Sequence, residues 1–351
     1  MAVALTYDAN ECTDGSGAQV QRIFAIYAIS RKFRIPYHHS RIVNVDFNPG
    51  DGIQTPIEME RYIVKLNEFL SFLPSRNFLS SEIRKLDFRR FPRILRFKSF
   101  IEIYYQVFFW ITRLKAFLSQ KNLLLEVSNP YPLIDQSPNS YSYLQEFNLS
   151  GTEKNTNTQF SIHIHLVRSK VSQEQLATRF TSDEWYLTIL REVIKVLKSN
   201  ETEFEIIIHT DVSKSNTWDL PSGSNSESRK YWEKAGIAID NDRMSVADES
   251  AIKNFLHFEK VRILTGVDPV IAWSHMSRAD LLLMGKSSFS YVGALLNKSG
   301  LIVGSPFWHA FPANWYSVVL ENPNTTRNLI REVEKRVQKM KNITSQSGVL
   351  N

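Results

Sequence analysis

The second half of the chain repeats one pattern, and that pattern limits the fold more than any other feature. Short runs that are apolar on both faces alternate with longer stretches whose apolar residues recur at helical spacing. The runs are "FSIHIHLV", "EFEIIIHTD", "VRILTG", "ADLLLMG" and "GLIVG". Between or before them lie "SDEWYLTILREVIKVLKS", "DESAIKNFLHF", "DPVIAWSHMSRA" and "SFSYVGALLN". A strand apolar on both faces needs cover on both faces, which predicts a parallel sheet with helices on either side. The first half opens in the same way, with strand "VALTY", turn "DGSGAQVQR", helix "VQRIFAIYAISRKF" and strand "IPYHHS". Helices "IEMERYIVKLNEFLSFL" and "SFIEIYYQVFFWITRLKAFLS" follow. A polar, unpatterned stretch from Asn148 to Gln159 separates the halves. The expected architecture is therefore α/β: two doubly wound, Rossmann-like domains, 1–150 and 159–325, facing across a cleft, with a helix and tail at 326–351. A chain of 351 residues is long enough for both.

The net charge of +6 is concentrated in one place. From Arg84 to Lys98 there are seven basic residues and one acid, Asp87, so this stretch accounts for the whole excess. Such a local patch differs from the spread-out basicity of a nucleic-acid coat and excludes that class as the first reading. Arg89, Arg90, Arg93 and Arg96 are interleaved with Phe88, Phe91, Leu95 and Phe97, a mixture that suits an anionic membrane surface or an acidic acceptor. A solvated basic face is the plain alternative. The aromatic stretch that follows is interrupted by Glu102 and Arg113, leaving too short an uncharged run to cross a bilayer. One cysteine, Cys12, excludes an internal disulfide and points to a reducing compartment. The opening residues lack the basic and apolar regions of a secretory signal, so the sequons are read as chance and the cytoplasm is expected, with peripheral attachment to the inner membrane face.

Ligands of doubly wound sheets bind outside the carboxyl ends of the strands. At one such end, Lys286, Ser287 and Ser288 lie where "ADLLLMG" gives way to a helix, with Phe289 and Ser290 next. A helix N-terminus, hydroxyls and an ammonium together suit a phosphate, although serines also cap helices without any ligand. At a second end, His163 and His165 share one strand face and Arg168 follows. An arginine there can grip a phosphate bidentately; a surface arginine beside hydrogen-bonded core histidines is the alternative. No acid or cysteine stands at ligand spacing from the histidines, so no metal is expected there. At the first strand–helix turn, Gly15 and Gly17 permit close backbone approach, but Val20 stands where a dinucleotide fingerprint needs its third glycine. Asp240 and Asp242 form an Asp-x-Asp pair that could hold a diphosphate through a divalent cation. Asp14, His38 and His39 are the ionisable residues nearest the expected cleft from the first domain, which makes them candidates for a catalytic base. Trp308 and His309 follow the last strand and are expected at the cleft mouth.

Taken in order, these features resemble the fucosyltransferase-like superfamily of GT-B glycosyltransferases, which includes α1,2- and α1,6-fucosyltransferases and protein O-fucosyltransferases. Its members open with Gly-x-Gly-Asn-Gln; here Gly15, Gly17 and Gln19 match, with Ala18 in the Asn place. Its His-x-Arg-Arg-Gly-Asp signature is similar to "HLVRSK", where His165 and Arg168 match and Val167, Ser169 and Lys170 do not. A helix with an aromatic pair, a strand ending Thr210-Asp211 and a late Ser-x-Phe-Ser stretch complete the set. The likeness runs from about Asp14 to Trp308.

The resemblance implies an inverting, metal-independent glycosyltransferase with no cofactor beyond its donor, typically GDP-fucose, and a glycan or lipid-linked glycan as acceptor. It implies that Gly15, Gly17, Gln19, His165, Arg168, Asp211 and the Lys286–Ser290 stretch contact the donor. Three alternatives stay open. One is a non-catalytic nucleotide-sugar binder with an altered signature. Another is a metal-dependent GT-A transferase using Asp240 and Asp242. The third is a nucleic-acid-binding protein acting through 84–98.

Overall fold

The computed structural model describes residues 2–12, 14–45, 56–75, 78–88, 98–146, 159–168, 179–211, 217–219, 239–240, 243–245 and 249–347. They form two compact units. Of the described residues, those up to 146 together with His309–Ala313 form the first, and the rest form the second. A late excursion of the chain thus belongs to the first unit, and the closing helix belongs to the second.

The first unit is built from β1 (Val3–Tyr7), α1 (Ser16–Lys32), α2 (Pro56–Leu70), β2 (Glu82–Asp87), α3 (Lys98–Leu118), β3 (Leu123–Asn129) and the short α4 (Tyr131–Ile134). Its sheet has the order β1-β3-β2, parallel throughout. The stretch read as strand "IPYHHS" adds a single parallel bridge, Tyr37 to Leu5. One face of α3 supplies core, with Tyr105 against Phe88 at 5.1 Å and Phe109 against Phe33 at 5.2 Å.

The basic stretch is not one loop. Its first residues form β2, where Arg84 pairs with Glu82, and Lys85 with Glu11 and more distantly with Asp8 at 3.7 Å. Counting charge along the sequence hides these pairs because Glu11 and Asp8 arrive from the turn after β1. Arg89, Arg90, Arg93 and Arg96 lie outside the described residues.

The second unit contains β4 (Phe160–Leu166), α5 (Asp183–Ser199), β5 (Phe204–Thr210), β6 (Thr217–Asp219), β7 (Ile239–Asp240), β8 (Arg243–Ser245) and β9 (Val261–Thr265). It continues with α6 (Pro269–Met276), β10 (Leu281–Met284), α7 (Ser288–Leu296), β11 (Leu301–Gly304), β12 (Tyr316–Ser317) and α8 (Pro323–Ser347). "DESAIKNFLHF" forms a 3-10 helix at Glu249–Phe255 instead of an α-helix. A small antiparallel sheet, β6-β8-β7, lies between β5 and β9 in the chain. Asp240 ends β7, and Asp242 lies outside the described residues.

The main sheet is parallel, in the order β12-β11-β10-β4-β5-β9. Strand alternation sorts its side chains onto two faces. Ile162, Ile164 and Leu166 join one cluster with Trp185, Ile189 and Val193 of α5 and with Leu329, Val333 and Val337 of α8. His163, His165 and His209 point the other way, toward α6 and α7. Asp280 ties the amino edge together: it accepts from the Ser161 backbone at 3.0 Å and pairs with Arg336 of α8 at 2.8 Å.

Candidate functional site

The chain leaves β4 toward β5 and β9 on one side, then returns to place β10, β11 and β12 on the other. The strand order therefore reverses between β4 and β10, and ligands of such sheets bind outside the carboxyl ends of the strands at the reversal. Gly285 follows β10, and a Cβ built on it would stand 2.9 Å from the His165 carbonyl and 3.4 Å from His165 Nδ1. No real Cβ sits so near a backbone oxygen, so only glycine lets the two strand ends close up here.

Beside Gly285, Lys286 is half-buried, and burial holds its ammonium below the ordinary lysine value. Ser287 caps α7: its Oγ accepts from the Phe289 N–H at 3.1 Å. The first turn of α7 has no acidic residue, so its partial positive charge is left uncompensated. Ser288 is half-exposed at this terminus. Ser290 is turned inward, donating to the carbonyls of Gly285 at 2.8 Å and Ser287 at 3.1 Å. Its hydroxyl shapes the turn and is committed there. Phe289 stacks between His165, at 5.2 Å, and Trp273, at 5.1 Å, and its carbonyl accepts from the Trp273 ring N–H.

His165 is 6% exposed, and its Nδ1 has no hydrogen-bond partner. The Tyr186 hydroxyl donates to the His165 carbonyl at 3.0 Å. On the next strand, Ser305 Oγ, just past β11, is also buried and unpartnered. The carboxyl edge at the reversal thus gathers a helix N-terminus, a cation, an idle imidazole nitrogen and an idle hydroxyl. Sequence reading singled out the first three; Ser305 was missed, and its only trace is a serine just after a strand.

Arg168 is placed differently from the expectation. Its side chain is 6% exposed, and it pairs with Asp183 at 2.6 Å. It also donates to the carbonyls of Thr181 and Val167, both at 3.0 Å, and lies 4.7 Å over the Phe180 ring. Its backbone N–H donates to Asp211 at 2.8 Å, which binds the ends of β4 and β5 together. In this state the guanidinium is held at the start of α5, where Asp183 and Glu184 already match the helix dipole.

The first unit brings its own strand-end residues to one sheet edge. Gly15 precedes α1, and its carbonyl takes the N–H groups of Ala18 and Gln19. Gln19 is fully buried and used internally: it accepts from Tyr7 at 2.8 Å and donates to the carbonyls of Asp14 and Asn44. Gly17 lies buried within the helix. These residues shape the turn, and the Asp14 carboxylate is paired with Arg22. The His38 backbone donates to Leu5, and His39 Nδ1 meets the Tyr37 hydroxyl at 2.9 Å. Burial, with His38 and Arg41 nearby, lowers the His39 pKa to about 4, so the ring is neutral at neutral pH. His309 and Trp308 part company: His309 stacks on Tyr131 at 4.1 Å and meets Asp135 at 3.2 Å within the first unit, whereas Trp308 lies under Arg179 in the second. Among the described residues no cluster of His, Cys, Asp and Glu could hold a metal ion.

No family model and no curated protein matches the chain. Solved structures do. The fucosyltransferase NodZ from Bradyrhizobium is 10% identical, over 84% of this chain and 92% of its own, with a TM-score of 0.29. POFUT1 in complex with GDP-fucose is 11% identical over 88% and 97%, with a TM-score of 0.35. MnaA of S. aureus, with UDP, is 8% identical over 97% and 90%, with a TM-score of 0.34. Superpositions this loose assign no chemistry, which has to come from the residues of this chain.

Proposed function

We propose that the chain is a glycosyltransferase that holds a nucleotide-sugar donor by its diphosphate at the strand reversal of the second unit. The observation that carries this is the acid-free N-terminus of α7 beside Lys286, with the unpartnered Nδ1 of His165 next to Gly285. An oriented helix terminus and an ammonium stabilise the charge that develops on a leaving nucleoside diphosphate. The sequence resemblance narrows the donor to GDP-fucose and the acceptor to a glycan or lipid-linked glycan, served by the first unit in a reducing compartment such as the cytoplasm. In the reaction an acceptor oxygen bonds to the anomeric carbon as the bond to the diphosphate breaks, with inversion, and the hydroxyl proton passes to a base. His39 is the candidate in the right protonation state at neutral pH; Asp14 is neutralised by Arg22 and His38 is the third.

Lys286→Ala is expected to weaken GDP binding by ~10- to 100-fold, the scale of a charge-assisted hydrogen bond. Thermal-shift titrations with GDP, UDP and CMP check this; no shift with any nucleotide would remove the proposal. Turnover is also expected to survive EDTA and the Asp240→Ala change. Activity lost on chelation and restored by manganese would instead favour the metal-dependent reading. One observation favours a second reading, a binder without turnover: Arg168 is held by Asp183 and two carbonyls rather than turned to the crevice. Nucleotide binding with no transfer from any GDP-sugar would select it.

A further inference from the structure

The outer face of α3 is apolar and exposed over most of its length. Phe100, Ile103, Val107, Trp110, Leu114 and Phe117 succeed one another in steps of three and four, the spacing that keeps side chains on one side of a helix. All six are exposed, Trp110 at 62% and Phe117 at 66%. The opposite side, Ile101, Tyr105, Phe109 and Ala116, is buried in the first unit. The stripe spans about 25 Å at 1.5 Å per residue, far more than the scattered apolar residues of an ordinary surface.

The charges of α3 are sorted as well. Glu102, its only acid, turns to the body of the unit, where it pairs with Lys32 and accepts from Ser137 Oγ at 2.7 Å. Arg113 and Lys115 are exposed, and at 100° per residue they fall on the two opposite edges of the stripe. Arg113 is fixed there by donating to the Arg34 carbonyl at the end of α1. Among the described residues no helix is long and apolar enough to cross a membrane.

We propose that α3 lies flat in the headgroup region of an anionic lipid bilayer, its stripe sunk toward the acyl chains and Arg113 and Lys115 on the lipid phosphates. The combination of an apolar face that carries a tryptophan and cations at its edges is that of an interfacial helix. Charge separates this occupant from a second copy of the chain. Pairing two stripes would bring the cations of both copies to one seam, where the one carboxylate of α3, Glu102, is already paired with Lys32. The stretch that leads into α3 also carries the whole net charge of the protein, which draws the chain to an anionic surface. This inference does not depend on the donor proposal, which concerns the other unit.

The test uses the full chain and phosphatidylglycerol–phosphatidylcholine vesicles at low salt. The wild type should co-sediment, and brominated lipid should quench a fluorescence component that Trp110→Phe removes. The variant Val107→Glu/Trp110→Glu/Leu114→Glu changes only exposed positions. It should lose ~10-fold or more in vesicle partitioning, while its melting temperature and its GDP-induced shift stay those of the wild type. Loss of nucleotide binding with vesicle binding intact would bear on the donor proposal alone. Wild-type protein left in the supernatant, or a variant that binds as well as the wild type, would overturn the membrane assignment. So would a wild-type dimer by light scattering that the triple variant converts to monomer, since the stripe would then be a self-association surface.

Discussion

Lowering the pH from about 7 to about 5 is expected to cost the second unit several kcal/mol of stability. Three histidines sit on the face of the main sheet that meets α6 and α7. Burial, with His275 and Arg262 adding, lowers the pKa of His163 to about 3. Burial likewise lowers His165 to about 4, and burial with His163 and His165 lowers His209 to about 2. Unfolded, each ring takes up a proton near pH 6.5; folded, each stays neutral well below that. In the interval the unfolded chain binds more protons, so acid draws the equilibrium toward unfolding. Stability is fully present above about pH 6.5 and declines as the pH falls toward the folded values. Each ring that must stay neutral contributes ~2 kcal/mol over about 1.5 pH units. The total is below three times that, because His163 and His209 share a 3.0 Å contact and a proton on one ring opposes a proton on the other. Urea unfolding across this range measures the slope, and His209→Gln should flatten it. A slope of zero in the wild type would mean that these rings are solvated or already charged.

Arg168→Ala is expected to destabilise the second unit by about 3 kcal/mol. The side chain is buried, its partner Asp183 is only a quarter exposed, and removing the cation leaves one Asp183 oxygen and two carbonyls without their donor, while Asn254 still donates to the other oxygen. Asp183→Asn should destabilise too, by leaving the buried guanidinium without its counter-charge. The same pair of variants tests the donor role implied by the resemblance to fucosyltransferases. If Arg168 leaves Asp183 to meet the diphosphate, Arg168→Ala should weaken GDP binding by about 1.5–3 kcal/mol in whatever fraction stays folded, and Asp183→Asn should not. GDP affinity unchanged in folded Arg168→Ala would end the donor role. Wild-type stability in that variant would end the structural one.

The sheet of the second unit was legible because burial on both faces writes itself as uninterrupted apolar runs, and their carboxyl ends could be located from where each run stopped. Lys286, Ser287 and Ser288 were found in this way, and the structure keeps them together at the strand reversal. What each polar group meets was not legible. Arg168 looked available because Asp183 belongs to a helix that sequence periodicity places but does not orient. Gln19 looked like a ligand contact because nothing local shows that Tyr7, Asp14 and Asn44 converge on it. Ser290 looked like one more hydroxyl in a cradle, although it donates inward to the carbonyls of Gly285 and Ser287. The apolar length of α3 was plain, but which side it buries depends on Phe33 and Phe88, residues that arrive from other elements.

The excursion of His309–Ala313 into the first unit has a consequence for how the protein is made. Asp135 receives His309 and the Ala310 N–H, and Asn139 receives the Ala313 N–H. On the ribosome, the first unit therefore waits for most of the polypeptide to emerge before its last hydrogen bonds can close. The second unit waits longer still, because β12 and α8 follow that excursion. A gene divided at the polar stretch near residue 150 would encode a first fragment that lacks His309–Ala313 and a second that carries that segment away from its partners. Maturation is thus tied to translation through this late segment, and a nascent chain halted before His309 presents a first unit whose Asp135 lacks the His309 and Ala310 contacts.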